Sequence, residues 1–118
     1  MRIAADIAVA LVALLHVYFF VLESFFWDKP LGLRVFRFTP DFAKATKALA
    51  ANQGVYNAFL AAGLAWGLAL GTAGGPIRIF FLLCVIVAGI VGAATVNRRI
   101  LWVQALPAAI ALALVLMN

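Results

Sequence analysis

The sequence predicts an all-α fold: a transmembrane four-helix bundle, up-down-up-down, with an amphipathic interfacial helix in the first loop. Three observations lead there. Apolar residues make up 68% of the 118 residues and charged residues 11%, against about half and about a quarter in a soluble domain. A chain this short could not bury that much apolar surface in water. Four apolar segments reach or approach the roughly 20 residues that a spanning helix needs. Finally, seven of the nine Lys and Arg fall between those segments, and the nine form no continuous face. That placement fits membrane topology and argues against nucleic acid as a partner.

The elements follow in order, within one membrane domain covering residues 1–118. The first span is expected at about 3–27, the second at 48–70, the third at 77–96 and the fourth at 101–117. The fourth is at the short limit. Cleavage of a signal peptide is not expected. Only Arg2 precedes the first apolar run, the run is too long, and no small-residue site follows "FFWDKP". "GTAGGP", residues 71–76, is a tight turn with Pro76 suited to the start of the next helix, and "NRR", residues 97–99, is as short. Short links make the joined helices antiparallel neighbours.

The first connection is longer. In "TPDFAKATK", Thr39 can cap a helix, Pro40 fits its first position and Asp41 complements its positive end. This predicts an interfacial helix over about 40–47 that bends into, or continues as, the second span. Lys44 and Lys47 would sit among headgroups, with Phe36, Phe38 and Phe42 below them. Lys29, Arg34, Arg37, Lys44, Lys47, Arg98 and Arg99 lie on the side of the first and third connections, and Arg2 and Arg78 on the other. That bias puts the first and third connections in the cytoplasm and both termini outside.

Polar groups then sort by depth. Glu23, Asn52, Gln53, Asn97, Arg98 and Gln104 fall in one slab near the cytoplasmic interface, with His16 and Asn57 deeper. The outer half is left almost without polar groups apart from Asp6. His16 and Glu23 are two helical turns apart and project from one face. Ionisable groups inside a membrane face the interior or a wet cavity and mark function by default. His16 and Glu23 therefore form one wall of a polar pocket, as a catalytic acid and base near neutral pH. Asn52, Gln53, Tyr56 and Asn57 form the opposite wall, and with Gln104 they would bind substrate.

The blander reading makes the amides interhelical glue worth about 0.6 to 2 kcal/mol each, and pairs Glu23 with Arg98 or Arg99. Singly, each amide favours glue. The ionisable pair favours a pocket, because smaller residues would pack more cheaply. No metal or other cofactor is expected, since one His and one Glu fall short of the three protein ligands of a catalytic zinc. Cys84, the lone cysteine, reads as a packing residue. Trp27, Trp66 and Trp102 lie near span ends. Gly63, Gly67 and Gly71, with Ala88, Gly89 and Gly92, would let the second and third spans pack closely, with a homodimer as the sharper alternative.

The residues that carry a family resemblance are "H-x-Y", "LESFFW" and "KALAANQGVYNAFLAAGLAWG". The chain resembles, over nearly its whole length, the small four-span bacterial membrane proteins grouped as domain-of-unknown-function family 1304 (DUF1304). The matching motif positions are His16, Tyr18, Glu23, Trp27, Asn52, Gln53, Gly54, Tyr56, Asn57 and Gly63. The resemblance implies the four-span fold and a bacterial inner (plasma) membrane, and it implies no activity.

The expected function is to bind, or act by acid/base chemistry on, a lipophilic small molecule such as an isoprenoid, quinone or lipid. Its head would reach the slab from the inner leaflet while its tail lies among Phe19, Phe20 and Phe59. The alternatives are a proton-coupled exporter built as a dimer of four-span subunits, and a structural subunit without chemistry.

Overall fold

The computed structural model describes residues 2–118, and the regular secondary structure among them is entirely helical. Helix α1 runs Arg2–Phe25, α2 Pro30–Phe36, α3 Pro40–Ala69, α4 Gly75–Thr95 and α5 Leu106–Leu116. A 3₁₀ turn, Gly71–Gly74, precedes α4, and a π-helical turn, Leu101–Ala105, leads into α5.

The start of α3 is built as its sequence dictates. The Thr39 hydroxyl accepts the Phe42 N–H at 3.2 Å, Pro40 fills the first position and Asp41 stands in the first turn. From there α3 runs for 30 residues as one continuous helix, so the interfacial segment and the second apolar segment belong to a single element. Helix α2 was not expected, because seven residues containing Pro and Gly carry little helical signal. Pro30 opens it, and Arg37 closes it in the left-handed region at φ 59°. Gly32 is essential to its seat, since a Cβ there would strike the Phe26 carbonyl. Gly71, at φ 60°, performs the same stop after α3.

The chain divides into two compact units. One runs through Leu14 and resumes from Leu60 to Asn118, and the other is Leu15–Phe59. In the first unit the core gathers Val9, Val12, Leu64, Leu82, Val85, Ala108 and Ala111. The end of α3 packs antiparallel on α4: Gly63 lies against the Phe81 ring, Gly67 against Arg78, and Gly74 against the Gly67 carbonyl. Gly89 of α4 likewise lies against Ala105 and Gly92 against Ile100. Small residues thus set these approaches. Arg78, read from the sequence as a topological charge at a span end, is buried. Its Nη1 donates to the carbonyls of Gly67 at 2.7 Å and Gly71 at 2.9 Å. It thereby engages one carbonyl of the last turn of α3 and one of the 3₁₀ turn that follows.

In the second unit, the latter half of α1 meets the first half of α3 at Gly54 and Ala51, and Leu22, Ala43 and Ala50 are buried. The Ser24 hydroxyl donates to the Ala51 carbonyl at 3.0 Å, and Trp27 Nε1 donates to Thr46 Oγ1 at 3.0 Å. The Trp27 ring sits 4.9 Å from Phe36 and 4.7 Å from Phe38, and Phe38 sits 4.7 Å from Phe42. This aromatic cluster anchors α2 and the start of α3 to the end of α1.

Two helical stretches, Arg2–Phe25 and Gly71–Thr95, are long and apolar enough to cross a membrane, and Leu101–Leu116 is a shorter apolar helix. Helix α3 is long enough but carries Asn52, Gln53 and Asn57 within its apolar stretch.

The Gly74 contact gives a direct test. In Gly74→Ala the new methyl group meets backbone rather than a flexible side chain, so α3 and α4 must separate. The expected loss is about 1 to 3 kcal/mol, read as a lowered thermal midpoint in detergent, whereas Gly75→Ala, with open space around its Cβ position, leaves the midpoint nearly unchanged.

Candidate functional site

The site begins with the seam of α3. Ala43, Ala50, Gly54, Asn57, Ala61 and Leu64 are its buried positions. They recur at spacings of three, four and seven, as one helix face requires. Four of the five before Leu64 are glycine or alanine, and Asn57 is the polar exception. Across from Gly54 on α1 stand Phe20, Glu23 and Ser24.

Asn57 Nδ2 donates to Glu23 Oε1 at 2.5 Å. Asn57 is buried and Glu23 half-buried. Gly54, one turn before Asn57, is where the two helices touch: a Cβ there would collide with the Ser24 hydroxyl and lie 3.1 Å from the Phe20 carbonyl and 3.2 Å from the Glu23 Cβ. Gly54 therefore lets the helices close far enough for a short Asn side chain to reach the carboxyl group. His16, two turns before Glu23 on α1, is wholly buried at 0% exposure. Its ring meets Phe19 edge-on at 5.6 Å.

Of the residues expected to form the pocket, the structure brings Glu23 and Asn57 together and buries His16 on the same helix as Glu23. Asn52, Gln53 and Tyr56 do not join the opposite wall. They lie on the exposed side of α3, where Asn52 Nδ2 reaches the Tyr56 hydroxyl at 3.4 Å. The reason is angular. Four polar positions at 52, 53, 56 and 57 cover too wide an arc to face a single neighbouring helix, and the small residues settle which edge turns inward. Gln104 is half-buried in the π-helical turn before α5, in the first unit. Two contributors were given no structural role by the sequence: Ser24, whose hydroxyl donates to the Ala51 carbonyl, and Gly54, named only as a position of the family resemblance, which makes the close approach. The run of small residues at the seam spacing of α3 is the signal that identifies Gly54.

Chemically, the arrangement is a carboxyl group oriented by an amide donor, with a buried imidazole two helical turns away on the same helix. Toward the end of α1 lies a separate ion pair, Asp28 Oδ2 with Lys47 Nζ at 3.1 Å. The Lys47 ammonium holds the Asp28 carboxyl below its ordinary value of 3.8.

A profile described as "Protein of unknown function (DUF1304)" matches residues 10–116, and the chain belongs to that family. The match spans His16, Glu23, Asn57 and the whole seam of α3. No curated protein and no solved structure matches the chain.

Two outcomes are expected. Asn57→Leu strips the buried donor from Glu23 and should lower stability by about 1 to 3 kcal/mol, whereas Glu23→Gln keeps an acceptor for Asn57 and should lose less; thermal unfolding of both variants in one detergent compares them. The Asp28 shift carries a sign: its contribution is full above the ordinary carboxylate value and is lost as pH falls through the depressed one. The acid limb of the midpoint-against-pH curve should therefore flatten in Lys47→Met, with the two proteins converging at low pH.

Proposed function

We propose that this chain is a four-span protein of the bacterial inner membrane that binds the polar head of a lipophilic small molecule at Glu23 and Asn57. The observation that carries the reading is the hydrogen bond between them, which joins a membrane-length apolar helix to α3 at a buried position. Amide-to-carboxyl contacts of this kind are expensive to place in hydrocarbon and mark sites that handle polar or ionisable groups.

The membrane setting has its own support. Large apolar side chains point outward along α1, at Ile3, Ile7, Leu11 and Leu14, and along α4, at Phe80, Leu83, Val87 and Ile90. Their buried faces carry Ala5, Val9 and Val12 on α1 and Arg78, Leu82, Val85 and Gly89 on α4. Rows of bulky apolar side chains on the outward face are what lipid permits and water penalises. The positive-charge bias supports a cytoplasmic α1–α3 connection and Asn97–Arg99 turn, which in this reading would set Glu23 near the inner leaflet.

In this reading Glu23 is the acid or base, and His16, about 10 Å away along the same helix, is a second ionisable group of the site rather than a direct proton partner of Glu23. Asn57 fixes the carboxyl group's direction. An isoprenoid, quinone or lipid would place its head here and its tail along Phe20 and Phe59, the latter exposed. The exposed Asn52 and Tyr56 favour one further reading. Polar groups on an outward face suit a homodimer, and a proton-coupled exporter would be built that way.

The test uses the full chain in detergent with two photoreactive probes, a short-chain quinone and a farnesyl alcohol. At least one should label the α1 peptide that contains Glu23, and labelling should fall about tenfold in Glu23→Gln, the effect of losing about 1.4 kcal/mol of binding. Equal labelling of both proteins would overturn the reading. Proton-driven efflux from vesicles that disappears in Glu23→Gln, without probe labelling, would establish the exporter instead.

A further inference from the structure

The first unit contains a cavity of about 350 Å³ between the start of α1, the turn after α3 and the end of α5. Its polar lining is Arg2, Asp6, Thr72, Arg78 and Asn118, and Pro76 and Leu116 belong to its apolar part. The sequence suggested that this end of the helices holds almost no polar group beyond Asp6. The structure instead gathers two guanidinium groups and a carboxylate around one space.

Each arginine is held in place by the fold. Arg78 is about nine-tenths buried, and the carbonyls of Gly67 and Gly71 both engage the same nitrogen, Nη1. A guanidinium carries five N–H donors in a rigid plane, so this anchoring sets the plane and leaves donors for the cavity that Arg78 lines. Arg2 Nη2 donates to Thr72 Oγ1 at 3.1 Å, which ties the start of α1 to the turn. Asp6 stands one turn along α1 from Arg2, yet among the described residues it forms no ion pair with either arginine. The cavity therefore holds positive and negative groups apart, with one positive charge in excess.

Separated charges of both signs suit a ligand that carries both. Arginine forks match the oxygens of a phosphate, and a carboxylate matches an ammonium. The volume is at the small end for ligand pockets, so it admits a headgroup and excludes acyl chains. Those chains have an apolar surface to follow, since Ile3, Phe80 and Leu116 are exposed close by in sequence to the lining residues. We propose that this cavity binds a phosphodiester bearing a primary amine, as in a phosphatidylethanolamine headgroup, with the phosphate on Arg2 and Arg78 and the amine on Asp6. The site is independent of Glu23 and Asn57, and either proposal can fail without the other.

The experiment measures binding to the full-length protein in detergent by native mass spectrometry. The probes are short-chain phosphatidylethanolamine, phosphatidylcholine and phosphatidylglycerol, together with glycerophosphoethanolamine and inorganic phosphate. Phosphatidylethanolamine should bind about tenfold tighter than the other two lipids, a difference of about 1.4 kcal/mol. Asp6→Asn should erase that preference while keeping phosphatidylglycerol bound. Arg2→Gln should weaken all three lipids about tenfold, about one charge-assisted hydrogen bond's worth. Arg78 also caps α3, so the test rests on Asp6 and Arg2. Binding of glycerophosphoethanolamine as tight as the lipid would support the headgroup chemistry and assign a soluble source. Equal binding of the three lipids, binding of inorganic phosphate as tight as the diester, or indifference to both variants would overturn the proposal.

Discussion

Close backbone approach at glycine is the constraint on which the rest of this structure depends. Gly74 meets the Gly67 carbonyl, Gly54 meets Ser24 and the Phe20 carbonyl, and Gly89 meets Ala105. At each place a side chain as small as a methyl group would force helices apart. The consequences are chemical as well as steric. With backbones this near, short polar side chains can cross between helices: Ser24 reaches the Ala51 carbonyl and Asn57 reaches Glu23. Arg78, pressed against Gly67, turns its guanidinium to the carbonyls that end α3. The glycines thus decide which buried polar groups find partners, and an unpartnered one costs about twice what a made bond contributes.

Much of the helical framework was legible in the sequence. Apolar length marked α1 and α4, and Thr39, Pro40 and Asp41 marked the start of α3 through capping chemistry that needs no tertiary context. Gly71 and Pro76 marked the turn before α4 for the same reason. Helix α2 was not legible, because its seat depends on Gly32 meeting the Phe26 carbonyl, a contact made only once the chain has folded back. The π-helical turn at Leu101–Ala105 has no local sequence signal either.

The candidate site was half legible. Polarity within apolar segments picked out His16, Glu23 and Asn57, but it could not say which side of α3 faces α1. Polarity also drew Asn52, Gln53 and Tyr56 into the same wall, and they face outward. The better guide to the inward face was size, since Ala43, Ala50, Gly54 and Ala61 run along the buried edge with Asn57 among them. The charged cavity at the other end of α1 was missed for a related reason. Arg2 and Arg78 were read as topological markers one by one, and nothing in their separate positions foretold that Thr72, Gly67 and Gly71 would hold both around a single space.

Depth explains why α3 can expose some amides and must bury another. On the membrane reading, Lys47 rides among headgroups, paired with Asp28. A helix rises about 1.5 Å per residue, so Asn52 and Gln53 lie about 8 to 9 Å further in. At that level water and lipid glycerol oxygens are within reach, and the Tyr56 hydroxyl comes to Asn52 from one turn deeper. Asn57 lies about 15 Å from Lys47 along the same axis, beyond such help, and an exposed amide there would face hydrocarbon with nothing to bond. Its donor must be met from within the protein, and Glu23 meets it. The same reasoning makes Glu23 and Asn57 interdependent: the amide needs the carboxyl as an acceptor at this depth, and the carboxyl is tolerable there because the amide, held at the Gly54 contact, is already in position to orient it.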